Sequence, residues 1–151
     1  MVTGGSGSLG TSLIKYFCSL PESIKPDRVV CLSRGWEDQA KLRASISSNI
    51  LRTFIGDVRD LGRLVLAFRG IDYVIHTAAM KGIVDCEYNP IECIADNVLG
   101  TQNVILAATK TEVQRVEFIS SDKASSPINC YGKSKALAES LVIASGSYAP
   151  H

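Results

Sequence analysis

The sequence predicts an α/β protein: a doubly wound parallel sheet with helices on both faces. Two observations carry this. Short β-branched runs alternate with segments of helical apolar periodicity along the whole chain, and a glycine-rich turn joins the first run to the first helical segment. Strands separated by helices return parallel to one another through right-handed crossovers, which builds such a sheet.

The elements follow in order. The first strand has only Met1, Val2 and Thr3 before the glycines. A buried parallel strand usually takes about five residues, so the expectation is a strand cut short. In LGTSLIKYFCSL (9–20), Leu9, Leu13, Ile14, Phe17 and Leu20 share one helical face, and Pro21 ends the helix. RVVCL (28–32) and RTFIG (52–56) are the second and third strands. DLGRLVLAF (60–68) reads as a short helix ended by Gly70, and YVIHT (73–77) as the fourth strand. PIECIADNVLGTQNVILAATK (90–110) is expected to be one long helix entered through Pro90. RVEFIS (115–120) is the fifth strand and YGKSKALAESLVIAS (131–145) the last helix. The closing SGSYAPH adds no strand. The expectation is therefore one domain over 1–151 without a second, substrate-binding subdomain.

Composition narrows the function classes. With 151 residues, 46% hydrophobic and 21% charged, the chain suits one soluble globular domain. A net charge of +1 offers no electrostatic attraction for nucleic acid or an anionic membrane. No apolar run approaches the length of a membrane span, and MVTGGSGSLG lacks the basic and apolar regions of an export signal. Cytoplasm is the expected location. Cys18, Cys31, Cys86, Cys93 and Cys130 are odd in number and form no C-x-x-C pair; with only His76 and His151 beside them, no metal site is expected. Cys18 and Cys31 read as small core residues, and His76, on a buried strand, as a satisfied core histidine.

In TGGSGSLG, Gly4, Gly7 and Gly10 fall at G-x-x-G-x-x-G spacing, with Ser8 and Leu9 opening the helix. Glycines there permit a tight turn and close approach of backbone to a pyrophosphate, while the helix N-terminus supplies free N–H donors. A plain strand–helix connection would also tolerate glycines, but this position in an alternating chain favours a dinucleotide. The acid that would hold an NAD ribose 2′-hydroxyl at the end of the second strand is missing. That end reads Cys31-Leu32-Ser33-Arg34, and a guanidinium beside a serine hydroxyl suits a 2′-phosphate. NADP is the expected cofactor, with NAD and a plain surface arginine as the alternatives.

After the third strand, Asp57 could accept from an adenine amino group with the Val58 backbone alongside, or could cap the next helix. In HTAAMK, Ala78 and Ala79 are small enough to let backbone pass close to a ligand. Asn97, a poor helix former, could bind a neighbouring strand or loop or be an exposed asparagine. Tyr131 and Lys135 share a helical face one turn apart. An ammonium there favours the phenolate, and a tyrosine so tuned can take a proton from a substrate hydroxyl. Ser120-Ser121-Asp122-Lys123 lies past the fifth strand, where open α/β sheets hold ligands.

TGGSGSLG, DVRD, HTAAMK, EYNPIECIADNVLGTQNVI and SSDKASSPINCYGKSK together resemble the extended short-chain dehydrogenase/reductase family, with its Rossmann-like fold. Within it they look most like the inverting UDP-N-acetylglucosamine 4,6-dehydratases of polysaccharide biosynthesis. The resemblance implies that Tyr131 deprotonates the sugar C4 hydroxyl, that Lys135 binds the nicotinamide ribose, and that Ser121 hydrogen-bonds the reacting hydroxyl. It implies Lys123 as the base at C5, Asp122 as the acid for the departing C6 hydroxyl, and Asn97 among the cofactor residues. Lys81 would lie near nicotinamide and sugar, and Asn129 near the substrate, although Gly82 departs from the histidine often found beside Lys81. A UDP-sugar substrate and a homo-oligomer packed through 90–110 and 131–145 are implied as well. Two other readings stay open: a non-catalytic or split dinucleotide-binding module, and a UDP-sugar 4-epimerase, which needs Tyr131 and Lys135 but not the Asp122–Lys123 pair.

Overall fold

A computed structural model describes residues 1–147; His151 lies outside them. Among these residues five parallel strands form one sheet: β1 (Val2–Thr3), β2 (Val29–Ser33), β3 (Leu51–Ile55), β4 (Tyr73–His76) and β5 (Arg115–Phe118). Their spatial order is β3-β2-β1-β4-β5. Val2 is in register with Cys31 on one side and Ile75 on the other, so the strand order reverses at β1. Crevices at such reversals, outside the carboxyl ends of the strands, are where open α/β sheets take ligands.

The helices are α1 (Ser8–Ser19), α2 (Trp36–Ser45), α3 (Leu61–Phe68), α4 (Ile83–Tyr88), α5 (Pro90–Ile94), α6 (Gly100–Thr109), α7 (Asp122–Ser125) and α8 (Cys130–Ser145). They cover both faces and leave two cores. Val30 and Leu32 of β2 pack with Leu64 and Phe68 of α3 and Val104 of α6. Val29 and Cys31 pack on the opposite face with Ile14 of α1 and Leu42 of α2. A strand buried on both faces needs an unbroken apolar run, which is what RVVCL supplies. Cys31 is a core residue as expected, and Cys18 packs against the same cluster.

Several elements differ from expectation. The segment 90–110 is not one α-helix: α5 passes through a π-helical turn, Ala95–Leu99, before α6 begins. The wide turn buries Asp96, Asn97 and Val98 in succession, which a regular helix surface would not do. Helix α2 escaped notice because its polar sequence buries only Gln39 and Leu42. Leu9 does not join the apolar face of α1; it is 47% exposed at the cleft end. His76 is fully satisfied, its Nδ1 2.7 Å from Thr3 Oγ1 and its Nε2 3.0 Å from Thr101 Oγ1.

Candidate active site

The carboxyl ends of the strands frame a cleft of about 490 Å³, with Gly4–Gly10 on one wall and Tyr131 and Lys135 on the other. Gly4 has φ +66°, and a Cβ there would sit 2.8 Å from the Ala78 backbone. The loops after β1 and β4 therefore touch backbone to backbone. A Cβ on Gly10 would meet Gly4 O at 2.5 Å and Gly5 Cα at 2.7 Å, so α1 presses its first turn directly on the loop. Gly7 N–H donates to Gly4 O at 2.9 Å, and no side chain caps α1. The first N–H groups of that 12-residue helix are thus left to a ligand. Gly5 was missed by the glycine spacing: its Cβ would lie 2.7 Å from Cys31 Sγ, and the Gly-Gly doublet was the available signal.

At the end of β2 the arrangement is less open than expected. Ser33 is buried, and its Oγ accepts from Gln39 Nε2 at 2.9 Å. Arg34 is exposed but already paired, 3.3 Å from Asp96 Oδ2 and 4.0 Å from Asp57 Oδ2. Asp57 accepts from Arg59 N, Nε and Nη2 at 2.9, 3.0 and 2.8 Å. Partial burial pushes its carboxyl up, but the Arg59 hydrogen bonds and charge outweigh that and hold it below its ordinary value. The cap of α3 is Asp60, which accepts from Arg63 N, so the capping alternative for Asp57 falls away. Val58 is buried against α6, where a Gly100 Cβ would meet its Cγ2 at 2.7 Å.

Ala78, Ala79 and Lys81 line the cleft. Asn97, only 1% exposed, is not among the lining residues; it accepts from Met80 N at 2.8 Å and donates to Met80 O and Ser134 Oγ at 2.9 Å each. It fixes the loop that carries Ala78–Lys81. The loop-binding alternative was the right one.

Lys135 is 3% exposed; its Nζ donates to Ile119 O at 2.6 Å and lies 4.0 Å above the Phe118 ring. Burial lowers its pKa to about 8, with Glu139 opposing. Tyr131 faces the same cleft one turn earlier. Asn129 Oδ1 accepts from Gly132 N at 2.7 Å and caps α8. Glu87 adds a second clasp, Oε1 accepting from Cys130 N at 2.6 Å, which no local pattern announces. Ser121 caps α7 and donates to Asp122 Oδ1 at 3.1 Å. Lys123 Nζ is 3.2 Å from both Asp122 oxygens. Hydrogen bonds from Lys123, then Ser121, hold the Asp122 carboxyl below its usual range. A Cβ on Gly132 would collide with Lys123 O, so this glycine seats α7 against α8. Ser120 lines the cleft, as its place past the fifth strand suggested, and Thr77, Asp38 and Asp96 line it unexpectedly. Among the described residues no three ligating side chains converge on a metal position.

The fold, the glycine cradle and the Tyr131–Lys135 wall define a Rossmann-like domain of the extended short-chain dehydrogenase/reductase class. More particularly, the chain belongs to the polysaccharide biosynthesis protein family, whose sequence profile matches residues 1–150. It is 42% identical over 149 residues to a UDP-N-acetylglucosamine 4,6-dehydratase (inverting) of Campylobacter jejuni, covering 99% of this chain and 44% of that protein. It is also 42% identical over 146 residues to a UDP-glucose 4-epimerase of Rickettsia canadensis, covering 95% and 42%. Among solved structures, Pen from Bacillus thuringiensis superposes with a TM-score of 0.91 at 39% identity, over 97% of this chain and 44% of that one. A double mutant of the dTDP-glucose 4,6-dehydratase DesIV of Streptomyces venezuelae, with NAD and DAU bound, gives 0.82 at 27% identity, over 97% and 51%. The chain spans less than half the length of the curated relatives it matches.

Proposed function

We propose that this chain is the cofactor-binding and catalytic-residue part of a cytoplasmic, NADP-dependent nucleotide-sugar 4,6-dehydratase. Its substrate would be of the UDP-N-acetylglucosamine type, with inversion at C5. The observation that carries this is the Asp122–Lys123 pair, held by α7 against the helix that bears Tyr131 and Lys135. The glycine cradle and the uncapped N-terminus of α1 fit the pyrophosphate of a dinucleotide.

A bound nicotinamide dinucleotide supplies a hydride acceptor that becomes the donor later in the same turnover. Tyr131 takes the proton of the C4 hydroxyl, which Ser121 orients, and the Lys135 ammonium supports the phenolate. The resulting ketone acidifies C5–H. Lys123 removes that proton, and Asp122 protonates the C6 hydroxyl as it leaves as water. As an ion pair, neither residue is in the required form. Transfer of one proton from Lys123 Nζ to the carboxylate, 3.2 Å away, makes a neutral base and a neutral acid together. A sugar nucleotide covering this exposed pair would favour that shift, because desolvation disfavours both charges.

The 4-epimerase relative supports a second reading, for which the pair would be idle. The test uses the protein at the length of its relatives, incubated with UDP-N-acetylglucosamine. A 4-keto-6-deoxy product is expected, and Lys123→Ala should abolish it while leaving NADPH binding intact. Formation of the C4 epimer instead would replace the dehydratase reading, and absence of NADP(H) binding would leave a non-catalytic module. Exposed Ile91, Leu99, Leu137 and Ile143 on the helices of 90–109 and 130–145 support a homo-oligomer, to be checked by light scattering.

A further inference from the structure

The end of β2 lacks an acid, yet the fold delivers one from elsewhere. Asp96, in the π-helical turn after α5, lines the cleft with its side chain only 10% exposed. One carboxylate oxygen lies 3.3 Å from Arg34 Nη1, and the other 3.4 Å from Arg59 Nε without a hydrogen-bond partner. Arg59 is engaged elsewhere, by Asp57 at 2.8 Å and Glu92 at 2.8 Å. Two guanidinium groups therefore face three carboxylates, leaving the neighbourhood of Arg34 negative by about one charge.

We propose that Asp96 is a specificity-determining residue that tempers the preference for a 2′-phosphate by holding Arg34 in an ion pair. This rests on the NADP reading of Arg34 above. A 2′-phosphate must draw the guanidinium away from a carboxylate already in place and bring its own negative charge beside Asp57 and Asp96. A ribose diol has no such competition: it can donate a hydroxyl to an acid, the recognition that dinucleotide-binding folds ordinarily obtain from the end of β2. Arg34 thus favours the phosphate, Asp96 opposes it, and the cleft accepts both cofactors with a narrow margin.

The test is titration of the purified protein with NADPH and with NADH, followed by nicotinamide fluorescence, for wild type, Asp96→Asn, Asp96→Thr and Arg34→Ala. Both Asp96 variants should raise the ratio Kd(NADH)/Kd(NADPH) by roughly tenfold, the effect of about one favourable charge interaction. A ratio unchanged or lowered in both overturns the proposal. So does loss of both cofactors in both variants, which would make Asp96 a structural anchor only. Arg34→Ala separates the two levels: if it leaves the ratio unchanged, the NADP reading itself fails. If it lowers the ratio while the Asp96 variants do not raise it, only the role of Asp96 fails.

Discussion

Protonation of His76 should destabilise the domain by about 2 kcal/mol between pH 7.5 and 5. The ring is buried, and that burial, with the Lys135 charge second, lowers its pKa to about 3. Its hydrogen bonds also require the neutral form. Thr101 Oγ1 uses its one hydrogen on Asn97 O at 2.7 Å, so it must accept from His76 Nε2 at 3.0 Å. Nδ1 then accepts from Thr3 Oγ1 at 2.7 Å, an acceptor role that imidazolium lacks. The unfolded chain takes up this proton near pH 6.5, whereas the folded one resists until about 3. Stability is therefore fully present above 6.5 and is lost as pH falls through that window, by about 1.4 kcal/mol per unit. The assay is urea denaturation at pH 7.5 and 5.0 for wild type and His76→Gln; other groups, His151 included, cancel in the difference. An equal loss of stability in both proteins would refute the reasoning.

Gly10→Ala should destabilise by about 1–3 kcal/mol and weaken NADPH at least roughly tenfold, since its Cβ meets rigid backbone at 2.5 Å. Gly7→Ala, whose nearest atom is at 3.2 Å, should be milder, and thermal melts with cofactor titration will rank the two. Asn97→Ala strips Met80 N and O of their partner and should cost about 2 kcal/mol in urea denaturation. With Lys135 at a pKa of about 8, NADPH affinity should fall as pH rises from 7 to 9, because the ammonium is lost on passing through 8. Lys135→Met should show weak binding without that pH dependence.

Strand β2 was legible because it is buried on both faces and carries the apolar run VVCL, while α1 and α3 announced themselves by helical periodicity. Helix α2 was not, since Gln39 is buried by hydrogen bonds to Ser33 and Phe54 rather than by apolar contact. The π-helical turn was also hidden. It depends on Gly100 packing against Val58 and on Asn97 reaching Met80, contacts between elements far apart along the chain. In the site, Asn97 was rightly singled out as a poor helix former, and its amide is engaged with the backbone of Met80.

By itself the sequence determined the sheet-and-helix alternation, the glycine cradle at the first turn, and the sharing of one helical face by Tyr131 and Lys135. These are local consequences of the 2.0 and 3.6 residue periods and of what a missing Cβ permits. Only the tertiary structure decided that Asp96 reaches Arg34, that Glu87 clasps the start of α8, and that Gly132 seats the Asp122–Lys123 turn beside Tyr131. Each of those pairings joins residues that the order of strands and the crossing of helices bring together, and no local spacing encodes that order.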